Sequence, residues 1–160
     1  MSYLVDGNNV MAQRVGWHKD KRRARRTTMD ELANFAARKQ TRITVVFDGA
    51  PEEHFPDGST YRGIKLHYAA RGSNADERIK SIVEATRERR TLRVVTSDRA
   101  LADYVRRCGV AVIRSGDFRQ LMEDVSGEDS AAAREEKREV QPDDTAHWLR
   151  YFGVAAGDDE

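Results

Sequence analysis

Asp6 in LVDGNN, Asp48 in VVFDG, Asp76 in GSNADERI and Asp98 in VVTSD each sit where an apolar strand pattern stops or a helix pattern starts. In an open parallel sheet, ligands bind outside the carboxyl ends of the strands. Asp6, Asp48 and Asp98 fall at such ends, and Asp76 falls in the first turn of a helix expected to begin on the same side. Four carboxylates gathered on one rim repel one another unless a cation holds them together. Hard oxygen ligands suit Mg2+ or Mn2+, which keep several waters and bind through a few carboxylates together with substrate phosphate. Such an ion lowers the pKa of a water, orients it and stabilises charge at phosphorus. The chemistry expected of this set is therefore metal-assisted hydrolysis, with one ion or two left open.

Each aspartate also has a plainer role available. Asp6-Gly7 and Asp48-Gly49 are good turn dipeptides, and Asp76 and Asp98 complement a helix N-terminal dipole. Turns and caps alone, however, would draw a mixture of Asp, Asn, Ser and Gly, not aspartate at three strand ends with a fourth nearby. Other chemistries fit less well. Neither G-x-x-x-x-G-K-[ST] nor G-x-G-x-x-G occurs, and the four histidines lack zinc spacing. No G-x-S-x-G elbow is present, which argues against acyl transfer by serine. A phosphoacceptor domain using Asp48 fits the sheet, but RSGDF stands where such a site needs a lysine.

Several neighbours are candidate helpers. Asn9 can hold the Asp6 loop or contact a phosphate, Thr96 and Ser97 offer hydroxyls before Asp98, and Arg99 can meet phosphate. The run from His18 to Arg26 (HKDKRRARR) is expected to open the first helix. At helical spacing Lys19, Arg22, Arg23 and Arg26 line one side, so several phosphates can be neutralised at once. Because the run directly follows the Asp6 loop, a cationic wall beside the carboxylates is expected, as a nucleic-acid hydrolase requires. Trp17, Phe55 and Tyr61 lie in loops near this side and can stack on unpaired bases or pack on loop backbone.

Alternating strand and helix patterns must position these groups. The sequence predicts strands at 2–5, 42–47, 64–69, 92–96 and 110–113, the second of them β-branched and nearly unbroken, as a strand covered on both faces should be. Helices are predicted at about 19–40, from Ser73 with a capping-box-like Ser73-x-x-Asp76, from Ser97 or Asp98 to Gly109, and from Ser115. The stretch 50–63, with two prolines and two glycines, is expected to be a loop. The order gives an α/β fold with a mostly parallel sheet and helices on both faces.

At 160 residues the chain is long enough for one domain with a real core. Its net charge of +1 conceals an asymmetry: residues 1–45 carry ten Lys/Arg against four Asp/Glu, and residues 123–160 carry four against 12. That split points to a polyanion-binding face and an acidic end. No apolar run is long enough to span a membrane, and MSYLVDG lacks the regions of a secretory signal. The single cysteine, Cys108, fits a reducing, cytoplasmic setting. The expected organisation is a main domain over 1–125, a polar connector over 126–141 and a C-terminal helix over 142–153 that docks back on the same domain.

Taken in order, LVDGNNV, VVFDG, GSNADERI and VVTSDRALADYVRRCGVAVIRSGDF resemble the NYN domain in its YacP-like branch, which belongs with the PIN-like metal-dependent nucleases. The resemblance runs over about residues 2–123, and HWLRYFG near the end is similar to the close of such proteins. It implies a three-layer α/β/α, PIN-like fold and an endoribonuclease using Mg2+ or Mn2+. By position, Asp6, Asp48, Asp76 and Asp98 match the family's acidic site, and Asn9 matches the asparagine of its D-G-x-N opening. Asn8 replaces a frequent aromatic residue, and Glu77 stands where a second Asp often follows. The expected reaction is hydrolysis of RNA phosphodiester bonds at the catalytic set Asp6, Asp48, Asp76 and Asp98. Metal is expected on Asp6, Asp76 and Asp98, and substrate on Asn9, Arg22, Arg23, Arg25, Arg26, Ser97 and Arg99. The alternative is a non-catalytic RNA-binding or adaptor domain of the same fold. RNA is the expected partner, with the translation machinery a candidate to deliver it and no membrane involved; the oligomeric state stays open.

Overall fold

A computed structural model describes residues 1–69 and 72–127. The chain divides into two compact units, Met1–Glu123 and Asp124–Glu160; of the second, only 124–127 are described, and they are helical. The expected C-terminal helix over 142–153 and most of the 126–141 connector lie outside the described residues. No helix among the described residues is long and apolar enough to cross a membrane.

In chain order the elements are β1 (Ser2–Asp6), α1 (Gly7–Met11), α2 (Lys21–Lys39), β2 (Arg42–Phe47), β3 (Thr60–Tyr61), β4 (Ile64–Tyr68), α3 (Ala75–Ala85), β5 (Leu92–Val95), α4 (Arg99–Arg107) and β6 (Ala111–Ile113). A last helix, α5, covers 115–127. The six-stranded sheet runs β3-β4-β2-β1-β5-β6, parallel throughout except where β3 pairs antiparallel with β4. The chain builds outwards from β1 through β2 to β4, then crosses back to β5 and β6. The order therefore reverses between β1 and β5, and that is where open α/β sheets form their binding crevice.

Alternation along β1 sends its side chains into two separate layers. Tyr3 packs with Phe35 of α2 and Phe118 of α5, ring centroids 5.2–5.8 Å apart. Leu4 joins Val46, Ile79, Val83, Val94, Leu101 and Val105 in the core beneath α3 and α4. The central strands are buried on both faces, which explains why their sequences are nearly unbroken apolar runs. The three-layer α/β/α expectation is met.

Four local expectations need correction. The segment after β1 is a short helix, α1, which five residues cannot announce by periodicity. The basic helix opens at Lys21, with Asp20 accepting from the Arg23 N–H at 3.1 Å; Trp17–Lys19 is a separate 3-10 turn, so Lys19 is off the α2 face. The cap of α3 is Asn74, whose side chain accepts from Glu77 N–H at 3.0 Å, one residue beyond the predicted Ser73–Asp76 pair. The 50–63 loop contains β3, joined to β4 by Arg62 and Gly63, both at positive φ (46° and 90°) as a two-residue hairpin turn requires.

Candidate functional site

β1 delivers Asp6 to the rim as its last residue, and Asp6 is at once the N-cap of α1. Gly7 is dictated by space: a Cβ there would lie 2.5 Å from the Phe47 ring and 2.9 Å from Val45. Only glycine lets α1 start directly on β2. The Asp6 carboxylate accepts from the Asn9 N–H at 3.4 Å and from the Thr96 hydroxyl at 3.2 Å. With 5% of its surface exposed, it loses hydration, and burial pushes its pKa from 3.8 up to about 6. The charges of Asp76 and Asp48 push the same way, while the two hydrogen bonds oppose them.

Asp48 follows β2 and ties three segments together. Its N–H donates to Asn8 Oδ1 at 2.9 Å, and its Oδ1 accepts from the Ala75 N–H at 2.7 Å. Its carbonyl accepts from Arg25 Nη2 at 3.0 Å. The bond to Ala75 pins the first turn of α3 to the end of β2 and so brings Asp76 to the rim. Burial, then the charges of Asp98 and Asp48, hold the Asp76 carboxyl above the usual carboxylate range. Asp76 and Asp98 lie within hydrogen-bonding reach of one another. Asp98 caps α4 by accepting from the Leu101 N–H at 3.0 Å, and its own N–H donates to Thr96 Oγ1 at 3.2 Å. Thr96, fully buried, thus links Asp6 and Asp98 across the reversal between β1 and β5.

Asn9 binds the adjoining loops together. Its Oδ1 accepts from the Ser97 N–H at 2.8 Å and from the Ser115 hydroxyl, while Ser97 Oγ accepts from the Ser115 N–H at 3.1 Å. Ser115 was expected to cap α5; instead it is the first residue of the helix, fully buried, with its hydroxyl turned to Asn9. Its partnership with Asn9 spans 106 residues, and no sequence pattern marks it.

Asp48 and Asp76 bear electrostatically on Asp6, and Asp48 and Asp98 on Asp76, yet among the described residues no three His, Cys, Asp or Glu side chains form a ready-made ligand set. The donor chemistry still fits a hard divalent cation. All donors are carboxylate oxygens, and the strongest influences on Asp6 include two further carboxylates and no cationic side chain.

The basic residues divide. Lys21, Arg22 and Arg25 line a cleft of about 570 Å3 with Asn8, Asp48 and Glu52. Arg25, 16% exposed, lies over the Phe47 and Tyr68 rings at 5.0 and 5.5 Å besides holding the Asp48 carbonyl. Arg22 is almost fully exposed and 3.7 Å from Glu52, a counter-charge that the sequence did not single out. Arg23 is exposed. Arg26 stacks on Phe55 and Tyr61 at 4.6 and 5.8 Å. Those two rings pack edge to face on each other, and Trp17 carries Lys21 over its ring. Ser97 and Arg99 line a second cleft, of about 500 Å3, beyond Asp98.

Comparison with known proteins agrees with this architecture. The crystal structure of Rae1 (YacP) from Bacillus subtilis matches with a TM-score of 0.69 at 20% identity, covering 100% of this chain and 99% of that one. A mutant form of the same protein gives a TM-score of 0.73 at 19% identity, covering 87% and 85%. At such identities the likeness establishes the fold. No curated protein matches the chain. The profile described as the YacP-like NYN domain matches residues 3–150. The chain therefore belongs to the YacP-like NYN domain family, a nuclease-like group.

Proposed function

We propose that this protein is a metal-dependent endoribonuclease that hydrolyses RNA phosphodiester bonds at Asp6, Asp48, Asp76 and Asp98. The observation that carries this reading is the gathering of Asp6, Asp48, Asp76 and Asp98 near the carboxyl ends of the strands, where the charges of Asp48 and Asp76 bear on Asp6 and those of Asp48 and Asp98 bear on Asp76, beside a cleft that carries Lys21, Arg22 and Arg25. Asp6, Asp76 and Asp98 would hold Mg2+ or Mn2+, with Asp48 assisting. When bound, the cation activates water and offsets charge on the phosphate.

The chain's own groups do the positioning. Thr96 orients the Asp6 carboxylate and receives the Asp98 N–H, so both acids move as one unit. Asp48 fixes the start of α3, and Arg25 fixes Asp48. Arg22, Arg23, Arg25 and Arg26 hold the RNA backbone on one side, and Asn9, Ser97 and Arg99 meet phosphate near the acids. The single free cysteine supports a cytoplasmic setting. Delivery of the RNA by the translation machinery belongs to the same proposal and is tested by offering ribosome-bound message as substrate.

A second reading, a non-catalytic RNA-binding or adaptor domain, is favoured by the lack of a ready-made ligand set among the described residues. The two separate cleanly. A labelled, partly single-stranded RNA is incubated with the protein in Mn2+ or Mg2+ and in EDTA, alongside Asp98→Asn. Internal cleavage that needs the cation and is lost in the variant is expected. Cutting by Asp98→Asn at the wild-type rate would sink the site assignment, and binding without any cleavage would favour the second reading.

A further inference from the structure

The cleft beyond Asp98 presents three exposed arginines. Arg99 and Arg106 project from α4 seven residues apart, so they share a face of that helix. Arg114, which follows β6, closes the other side. The one carboxylate in the lining is Asp103, paired with Arg106 at 3.5 Å with both side chains well exposed. Such an exposed pair contributes little and is readily exchanged for a phosphate. Thr96 and Ser97 also line the cleft, and these residues contact Asp6, Asp98 and Asn9. The cleft therefore adjoins the carboxylate site through Thr96 and Ser97.

The cleft lined by Lys21, Arg22 and Arg25 lies on the opposite side, at the ends of β1 and β2. The carboxylates thus sit between two arginine-bearing clefts: this one balances its three cations with Asp48, Glu52 and Glu53, whereas the cleft beyond Asp98 sets three arginines against Asp103 alone. From the end of β2 to the end of β6 is three strand spacings, roughly 14 Å at about 4.8 Å each. That is the reach of a few nucleotides, more than a single phosphate and less than a folded RNA helix.

We propose that the Arg99–Arg106–Arg114 cleft is a second backbone-binding site for the same RNA strand, which crosses the carboxylates with phosphates held on both flanks. The inference rests on the reading of this protein as one that acts on RNA, and it adds a direction to that reading. The strand runs along the rim across the strand ends to Arg99 and Arg114, and then down α4 towards Arg106, about 10 Å further along that helix. Phosphates on both sides of the scissile bond are held, which suits internal cleavage better than removal of terminal nucleotides.

The test is a binding measurement in EDTA, so that no cleavage intervenes. Fluorescence anisotropy is followed against salt for a short oligoribonucleotide that fills one cleft and a longer one that reaches both. Wild type is compared with Arg99→Ala/Arg114→Ala, with the Lys/Lys version of that pair, and with Arg22→Ala. The Ala pair should lower the log–log salt slope for the longer RNA by about 1.4, at about 0.7 for each single-strand phosphate that is no longer neutralised. It should also erase the longer RNA's affinity advantage over the short one, while the Lys pair retains both. Arg22→Ala should lower the slope for either RNA that engages its cleft. A slope and a length advantage unchanged in the Ala pair would overturn the proposal. Because both arginine positions are exposed, a thermal melt is expected to match wild type, and these substitutions report on binding, not folding. Cleavage is read in a separate Mn2+ reaction, so an absence of turnover counts against the enzymatic reading alone, while the salt slopes still decide this one.

Discussion

Replacing Asp6 with asparagine should stabilise the metal-free protein while abolishing its cleavage. Asp6 is 5% exposed, and its pKa in the folded chain is about 6 against 3.8 ordinarily. Between those two pH values the folded form binds more protons than the unfolded one, so acidification through that window adds stability. Above pH 6 the full penalty of the buried charge applies. The gap corresponds to about 3 kcal/mol at about 1.36 kcal/mol per pH unit. Asparagine keeps the shape and an acceptor for the Asn9 N–H or the Thr96 hydroxyl, and it carries no charge. Urea unfolding in EDTA at pH 8 should therefore show Asp6→Asn more stable than wild type by up to about 3 kcal/mol. The gain should shrink through pH 6 and vanish near pH 4. A divalent cation should reverse the order: wild type gains about 2.7 kcal/mol at a concentration about 100-fold above its Kd, and the variant gains much less. A variant less stable than wild type at pH 8, or a gain independent of pH, would refute the reasoning.

Three further substitutions separate the parts of the site. Gly7→Ala forces a Cβ into the Phe47 ring and should cost about 1–3 kcal/mol in urea unfolding, whereas wild-type stability would mean α1 can shift off β2. Asn9→Ala removes the acceptor of the fully buried Ser115 hydroxyl and should cost about 1–3 kcal/mol, partly recovered in Asn9→Ala/Ser115→Ala; no recovery would break the proposed link. Arg25→Ala frees the Asp48 carbonyl and should lower the saturating cleavage rate about tenfold, the scale of one charge-assisted hydrogen bond. A rise in KM alone would instead give Arg25 a role confined to holding RNA.

What could be read from the chain follows from which interactions are local. Asp6 and Asp48 announce themselves because each ends an apolar run buried on both faces, and Asp98 follows a third such run after Thr96-Ser97, so the rim is legible as a change of composition. Helix caps are local too, yet the α3 cap falls one residue beyond the position that the Ser73-x-x-Asp76 pattern predicts. Ser73 and Asn74 are equally good capping types, and only the backbone at Asn74 decides between them. α1 leaves no periodic signal because five residues hold little more than one turn, and its stability comes from Gly7 packing on β2 rather than from its own pattern. The hairpin turn at Arg62-Gly63 is silent in the sequence because nothing in a two-residue strand displays alternation. The seat of Arg25 was hidden for a different reason. Four neighbouring arginines look alike in sequence, and one turns inward because Phe47, Tyr68 and the Asp48 carbonyl happen to face it.

By itself the sequence determined the α/β alternation, the carboxylates at strand ends and the basic helix near them, because periodicity and strand termination are set by residues close in the chain. Tertiary structure decided the rest. It placed the reversal of strand order between β1 and β5, so that Asp6 and Asp98, 92 residues apart, share Thr96. It turned Asp48 towards α3, committed Arg25 to Asp48, and set Arg99, Arg106 and Arg114 around a cleft of their own. Those arrangements depend on which strand lies beside which. That choice is made by the packing of whole layers, and no short stretch of sequence records it.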